Sequence, residues 1–398
     1  MMELFNRYKD LFARQKPLTP GVYSYQAPPD SAYPYRLHLR LEENGSGVLV
    51  VNAQTVLHLN QTAAEYAYYY IQGWADGQVA GEMEKRYRVS REQAHADFQD
   101  LADRIHELIR TPDLDPVTFL GFERAAPYTD NLSAPLRLDC ALTYQTTGNH
   151  RPNTTPQGRV KRELTTEEWQ LILDKAWQAG IPHIIFTGGE ATIRPDLIDL
   201  VKYSENLGQV TGLLTDGERL AEPHYLNELL QSGLDHVMIV LDPANEQSWE
   251  GLRDSLREDL FITVHLTINS VNQAKIKGWL QKLAEMGVMS ISISMANQNL
   301  KEQLDATRQQ IADLKMALVW DLPVPYSELN PVNLELEEAS VETRLEGSGN
   351  AWLYVEPDGD VLPGQGIPVV LGNLVAEPWE QIWQKRTAMK VENLLEKI

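Results

Sequence analysis

The sequence HIIFTGGEATIRPDLIDLVKYSENLG, at residues 183–208, joins an apolar run to an amphipathic segment. Its first five residues are mostly β-branched, aromatic or apolar, which favours a buried strand, and two glycines follow. Apolar residues recur at helical spacing after Arg194, and Gly208 stands where a helix C-cap is expected. The stretch therefore predicts a strand, a turn and a helix in succession.

The same alternation of strand and helix extends in both directions along the chain. Six strands, each followed by a helix, are predicted between residues 136 and 316. Strands separated by helices in this way pair in parallel through right-handed crossovers. We therefore expect an α/β fold built on a partial (β/α)6 barrel, with its ligand site at the carboxyl ends of the strands.

Residues 1–110 have a different pattern, in which short strands precede helices. YRLHLRLEE, GVLVVN and TVLHLN predict three strands, and three helical segments follow, the second of them at GEMEKRYRVS. This order is the outline of a winged helix-turn-helix domain. Residues 111–135 contain four prolines and little periodicity, which predicts a linker.

The end of the chain differs again from the barrel. AWLYVEPDGDVLPG predicts a hairpin with its turn at Pro357, Asp358 and Gly359, and a short segment and a helix follow. These changes of pattern divide the chain into residues 1–110, 111–135, 136–325 and 326–398.

Composition excludes several classes of protein. The 398 residues carry 35 basic and 56 acidic side chains, and the resulting net charge of -21 disfavours nucleic acid as a partner. The sequence has no apolar run of about 18 residues and no signal peptide, so we expect a cytoplasmic protein that does not contact a membrane. Cys140 is the one cysteine, so no intrachain disulfide and no metal centre held by several thiolates can form.

Three segments together resemble radical SAM enzymes of the SPASM/twitch type that carry a PqqD-like domain, or RiPP recognition element, at the front. FTGGEATIRPDL resembles the strand end where that family holds the amino group of S-adenosylmethionine, and LTDG and VMIVLD stand in the places of its later strand-end motifs. The resemblance implies a partial barrel of the radical SAM kind with a C-terminal SPASM/twitch-like remnant. It also implies a cofactor site, if S-adenosylmethionine binding is retained, at Gly188, Gly189, Glu190, Thr215 and Asp242.

The positions that hold cysteines in that family hold other residues here. The family's first strand leads into CxxxCxxC, whose thiolates bind a four-iron cluster, and the matching positions are Thr146, His150 and Asn153. Gly364 stands where the SPASM/twitch stretch has a cysteine. Because threonine and asparagine are poor iron ligands and one histidine cannot hold a cluster, we expect no iron–sulfur cluster, no other metal and no obligatory cofactor.

The front of the chain retains more of its family's pattern. The strand into LNQTAAEY and the helices after it resemble the PqqD-like fold, which binds a leader peptide as an added strand at a sheet edge. A DNA-binding winged helix is the alternative, and the negative charge disfavours it. The resemblance implies a peptide groove that is formed by the third strand and the last helix, at Val56, Leu57, His58, Leu59, Asn60, Ala94 and Phe98.

These resemblances favour a cluster-free pseudoenzyme without catalytic residues. It would bind a leader-like peptide or a partner maturase in RiPP-type peptide maturation, without radical chemistry, because homolysis of S-adenosylmethionine needs an electron from the cluster. The alternative is an enzyme with repurposed chemistry that uses the S-adenosylmethionine pocket or a non-cluster metal, with His150, His265 and Glu190 as candidate ligands. A structural subunit without any small ligand is the third possibility.

Overall fold

The computed structural model describes residues 16–28, 31–33, 35–52, 55–111, 132–147, 154–320, 322–332 and 347–386. The chain divides into two compact units: Met1–Ser133 with Gln178–Pro182, and Ala134–Trp177 with His183–Ile398. The predicted linker falls mostly outside the described residues. None of the described helices combines the length and the apolar character that a membrane span needs.

In the described part of the first unit, an antiparallel sheet of four strands packs with three helices. The strands are neighbours in chain order, and one apolar core is shared by the inward side chains of strands and helices. The elements are β1 (Gly21–Gln26), β2 (Arg36–Leu41), β3 (Gly47–Val51), β4 (Thr55–Leu59), α1 (Gln61–Ile71), α2 (Asp76–Arg86) and α3 (Arg91–Arg110).

Two details of this unit differ from the prediction. β1 was not predicted, because its residues are half-buried or exposed and so carry a weak alternating pattern. The middle helix begins at Asp76 rather than at Gly81. With four strands in the sheet, the winged-helix assignment is not confirmed.

A buried carboxylate links α1 to the end of α2. Glu65 is 1% exposed, and its carboxylate accepts a hydrogen bond from Arg86 Nε at 2.5 Å and one from the Tyr87 hydroxyl at 2.7 Å. Burial raises the pKa of Tyr87, and the hydrogen bond to Glu65 adds to the rise. Removal of this carboxylate would leave the Arg86 guanidinium buried without its counter-charge.

Replacement of Glu65 by alanine is therefore expected to lower the free energy of unfolding by about 3 kcal/mol, as for other broken buried ion pairs. Urea denaturation followed by circular dichroism measures the change. Glu84→Ala, at an exposed position of α2, is the control and should change stability by less than about 0.5 kcal/mol. Equal effects of the two substitutions would contradict a stabilising role for the buried pair.

Among its described residues, the second unit contains a mixed sheet of ten strands, in the order β11-β10-β9-β8-β7-β6-β5-β12-β13-β14. All pairs from β11 to β12 in this order are parallel, and β13 and β14 add antiparallel. The strands are β5 (Arg137–Thr143), β6 (His183–Gly188), β7 (Val210–Thr215), β8 (His236–Val240), β9 (Phe261–Ile268), β10 (Ser290–Met295), β11 (Ala317–Leu318), β12 (Trp352–Val355), β13 (Asp360–Leu362) and β14 (Gly372–Asn373).

The helices of this unit alternate with the parallel strands as the sequence predicted. The helices that lie between the parallel strands are α4 (Thr166–Gln178), α5 (Leu197–Leu207), α6 (Pro223–Gln231), α7 (Glu246–Ser255), α8 (Ile276–Glu285) and α9 (Lys301–Asp313). The α/β fold and the six strand–helix pairs are confirmed.

The predicted C-terminal hairpin is present as β12 and β13, which pair antiparallel. The parallel pairing of β12 with β5 was not predicted, because it joins strands that lie far apart in the chain and so leaves no local sequence pattern. All four residues of β12 are buried, as expected of a strand that lies inside a sheet.

Candidate functional site

The turn after β6 packs directly on the chain that leaves β5. Gly189 N–H donates to the Thr143 carbonyl at 2.8 Å, and Glu190 N–H donates to the Gln145 carbonyl at 2.8 Å. A Cβ on Gly188 would lie 2.2 Å from the Thr143 oxygen, and a Cβ on Gly189 would lie 2.2 Å from the Gln145 oxygen. The two glycines are therefore required by the close approach of two backbone segments.

Glu190 connects this turn to the turn after β7. Its carboxylate is 2% exposed and accepts hydrogen bonds from the Thr192 N–H at 2.9 Å, the Thr192 hydroxyl at 2.6 Å, the Thr215 hydroxyl at 2.8 Å and the Asp216 N–H at 2.7 Å. Burial raises the pKa of Glu190, the charge of Asp216 adds to the rise, and the hydrogen bonds oppose it. Both carboxylate oxygens are thus engaged within the protein.

Three further carboxylates follow the ends of β7 and β8, and we call Asp216, Glu218 and Asp242 the acidic mouth. Asp216 accepts a hydrogen bond from the Thr147 hydroxyl at 2.6 Å, and Glu218 accepts one from the Asn245 side chain at 2.7 Å. Burial raises the pKa of Glu218, and Asp216 and Asp242 raise it further. All three are half-buried, so this end of the barrel favours a cationic ligand.

A segment of the chain lies against the sheet beside this site. Leu322 and Val324 pack on a cluster of strand residues formed by Ile185, Leu214, Met238 and Val240. Two residues further on, the Tyr326 N–H donates to the Gly188 carbonyl at 2.8 Å. The carbonyl of the first predicted cofactor-binding glycine therefore already accepts a hydrogen bond from the protein.

A row of polar side chains lies on β9 and β10. The His265 ring is fully buried, with Nδ1 3.0 Å from the Ser292 hydroxyl and Nε2 3.1 Å from the Ser294 hydroxyl. Burial lowers the pKa of His265 to about 3, so the ring is neutral. Both ring nitrogens are thus within hydrogen-bond distance of hydroxyls, and among the described residues no group of three histidine, cysteine or carboxylate side chains is placed to hold a metal ion. His150, another candidate ligand, lies outside the described residues.

The structure brings together four of the five predicted cofactor residues, Gly188, Gly189, Glu190 and Thr215, around one network. Asp242 belongs to the acidic mouth instead. Sequence reasoning missed Thr192 and Asp216, although both lie inside the quoted motifs. A threonine two residues after a strand-end glutamate is the signal that could have identified the first of them.

The positions that match the family's cluster cysteines offer no thiol. Thr146 is half-buried after β5, Gly364 packs against Ser348, and His150 and Asn153 lie outside the described residues. Cys140 is fully buried in β5, and burial raises the pKa of its thiol well above the ordinary value.

Comparison with known proteins finds one matching superfamily model and similar curated proteins. Residues 140–259 match the sequence model of the Radical SAM superfamily. The chain is 27% identical over 259 residues to the PqqA peptide cyclase of Xanthomonas oryzae pv. oryzae (strain MAFF 311018), a match that covers 58% of this chain and 68% of that protein. It is 29% identical over 253 residues to the PqqA peptide cyclase of Streptomyces rochei, covering 56% and 68%.

Solved structures agree on the fold. Streptococcus suis SuiB bound to its precursor peptide SuiA aligns with a TM-score of 0.56 at 13% identity, covering 93% of this chain and 88% of that one. SuiB bound to S-adenosylmethionine aligns with a TM-score of 0.54 at 14% identity, covering 87% and 86%. The fold is therefore an α/β radical-SAM-like fold with a mixed sheet.

The expectation that this fold takes no cofactor is wrong. The matched superfamily is defined by S-adenosylmethionine, and SuiB was solved with that molecule bound, so the comparisons point to S-adenosylmethionine and an iron–sulfur cluster. The acidic mouth fits the sulfonium and ammonium charges of S-adenosylmethionine. A cluster held by three of the chain's own thiolates does not fit a sequence with one cysteine.

The close approach at the turn after β6 makes a stability prediction. Gly189→Ala is expected to destabilise the protein by about 3 kcal/mol, because the added Cβ meets backbone rather than a flexible side chain. Gly278→Ala is the matched control: Gly278 lies exposed in α8, where a Cβ meets nothing within 4 Å, and alanine should stabilise the helix by about 0.5–1 kcal/mol. Chemical denaturation measures both changes, and similar effects would contradict the steric argument.

Proposed function

We propose that the chain binds a leader-like peptide along the edge of β4 and acts in RiPP-type peptide maturation. β4 pairs with β3 on one side, and among the described residues no strand pairs with its other side. Main-chain donors and acceptors at a sheet edge can bind an extended peptide whatever the sequence of that peptide, and neighbouring side chains provide selectivity. The free edge of β4 is the observation that carries the proposal.

The side chains of β4 suit an edge strand that is anchored from within. Leu57 and Leu59 are buried in the core of the unit, whereas Val56 and His58 are half-buried on the other face. Asn60 caps α1 by accepting a hydrogen bond from the Ala63 N–H at 3.0 Å, so its side chain has a structural role. Val56 and His58 are therefore the residues of this strand best placed for selectivity.

One predicted part of the groove needs revision. Ala94 lies on the same buried face of the helix α3 as Leu101 and Ile105. Its side chain is fully buried in the core and is therefore not available to a peptide. Phe98 is 4% exposed and also belongs to that core. The proposed peptide site consists of the β4 edge, without a contribution from Ala94.

The role we propose is that of a binding module, a pseudoenzyme that presents its peptide or docks on a partner maturase. This role is supported by the chemistry of the side chains. The one cysteine is fully buried within β5. Thr146, His150 and Asn153 stand at the positions of the family's cluster motif, and none of them can supply a thiolate to iron. Anaerobic reconstitution with iron and sulfide tests it. Stoichiometric iron, sulfide and a reducible paramagnetic signal would overturn the binding-module role.

Hydrogen–deuterium exchange tests the peptide site. A peptide selected by the purified chain from a display library should slow the exchange of the amides in residues 55–60, because strand addition covers the free edge. N-methylation of successive peptide residues should weaken binding with a period of two, since only alternate N–H groups face the added edge. The edge strand β1 of the same sheet is the control, and protection there instead of at β4 would contradict the proposal.

The second candidate function is an enzyme that uses S-adenosylmethionine for polar chemistry, and the acidic mouth favours it. Because the Gly188 carbonyl and the Glu190 carboxylate are engaged within the protein, the cationic groups of the ligand would be held by Asp216, Glu218 and Asp242. S-adenosylmethionine supplies an activated methyl or alkyl group when bound.

Isothermal titration calorimetry measures this binding directly. S-adenosylmethionine should bind more tightly than S-adenosylhomocysteine, which lacks the sulfonium charge, and Asp242→Asn should weaken binding by about 5–10-fold. Turnover of the bound ligand would favour the enzyme over the binding module. Equal affinity for the two ligands would show that the acidic mouth does not select the sulfonium charge.

A further inference from the structure

The N-terminal unit contains a cavity of about 510 Å³ that the proposed strand addition does not use. It is lined by the end of α1, the start of α2 and one face of α3, and no residue of β4 lines it. A volume of this size accommodates a small ligand or one long side chain with its flanking backbone. Its lining includes the aromatic, histidine and acidic side chains of Tyr70, Trp74, Asp76, Phe98, Asp103 and His106.

The wall of this cavity is aromatic and held in place. Trp74 is 40% exposed, and its ring centroid lies 4.7 Å from that of the buried Tyr69. A hydrogen bond of 2.9 Å joins the Tyr70 hydroxyl to His106 Nε2, and the Tyr70 ring lies 6.5 Å from Phe98. An indole that is exposed and fixed by its neighbours offers a preformed stacking surface.

The rim of the cavity is acidic. Asp76 and Asp103 line it, and none of the described residues that line it is a lysine or an arginine. Asp76 accepts a hydrogen bond from the Gln99 amide at 3.3 Å and lies 3.6 Å from His95, and it stands in the first turn of α2, where the helix dipole favours a carboxylate without any ligand. Asp103 is exposed within α3 and lies outside the first turn of that helix, so the helix dipole does not account for a carboxylate there.

We propose that this cavity binds the arginine side chain of a peptide, with the guanidinium stacked on Trp74 and paired with Asp76 and Asp103. Two carboxylates beside an exposed indole select a cation, and a planar guanidinium suits the combination because it stacks and pairs at the same time. The inference rests on the proposed function only in taking the ligand to be a peptide.

Fluorine NMR of the full chain labelled with 5-fluorotryptophan tests the proposal. The chain has nine tryptophans, and Trp74→Phe identifies the resonance of Trp74. The probe is the blocked tripeptide acetyl-Gly-Arg-Gly-amide, and its neutral isostere with citrulline is the ligand control. The arginine peptide should shift the Trp74 resonance in a saturable, salt-sensitive way, and the citrulline peptide should not.

Two variants separate the charge effect from the fold. Asp103→Asn should weaken the arginine peptide at least about fivefold, while Glu84→Gln, at an exposed position outside the cavity, should leave the affinity unchanged. Equal shifts from arginine and citrulline, a lysine peptide that binds as tightly, or unchanged affinity in Asp103→Asn would each overturn the proposal. The hydrogen–deuterium exchange experiment monitors β4, which does not line the cavity. Failure of one proposal is therefore distinguishable from failure of the other.

Discussion

The backbone contact between the turn after β6 and the chain leaving β5 constrains the whole carboxyl end of the barrel. At Gly188 and Gly189 the two segments approach so closely that any side chain would overlap a carbonyl oxygen. The contact sets the position of Glu190, which accepts four hydrogen bonds, and the two from Thr215 and Asp216 join the turn after β6 to the end of β7. The location of Asp216, and with it the acidic mouth, depends on this chain of contacts.

The same contacts change how the family motif is interpreted. In the enzymes that this motif resembles, the Gly-Gly-Glu stretch is a ligand site. Here its carboxylate accepts a hydrogen bond from Asp216, and the Gly188 carbonyl accepts one from Tyr326, so both groups bind other segments of the chain. The charge that remains for a cation lies on the half-buried carboxylates after β7 and β8.

Much of the fold could be predicted because its signal is periodic. The strand of Ile184 and Phe186 and the helix of Leu197 and Val201 are each recognisable within a dozen residues, and all six such pairs were found. β1 has half-buried and exposed residues only, and the pairing of β12 with β5 joins residues far apart in the chain, so neither left a local pattern. The order of strands in a sheet depends on contacts between segments that are far apart in the chain.

The candidate site was predictable only in part, for a related reason. Gly188, Gly189, Glu190 and Thr215 belong to short motifs, whereas the roles of Thr192 and Tyr326 arise from hydrogen bonds across turns and between distant segments. Ala94 is fully buried on the face of α3 that packs in the core, and helical spacing alone does not distinguish that face from one that lines a groove. The prediction about cofactors was wrong because it considered only cysteine, whereas the matched superfamily model and the SuiB structure point to S-adenosylmethionine.

The solitary Cys140 has a practical consequence for solution studies. Maleimides and nitroxide reagents attack an accessible thiolate, and a fully buried thiol with a raised pKa presents neither access nor charge. A cysteine engineered at any exposed surface position would thus be modified alone, without prior mutation of the native residue. The natural chain is already a suitable background for attaching a single fluorophore or spin probe.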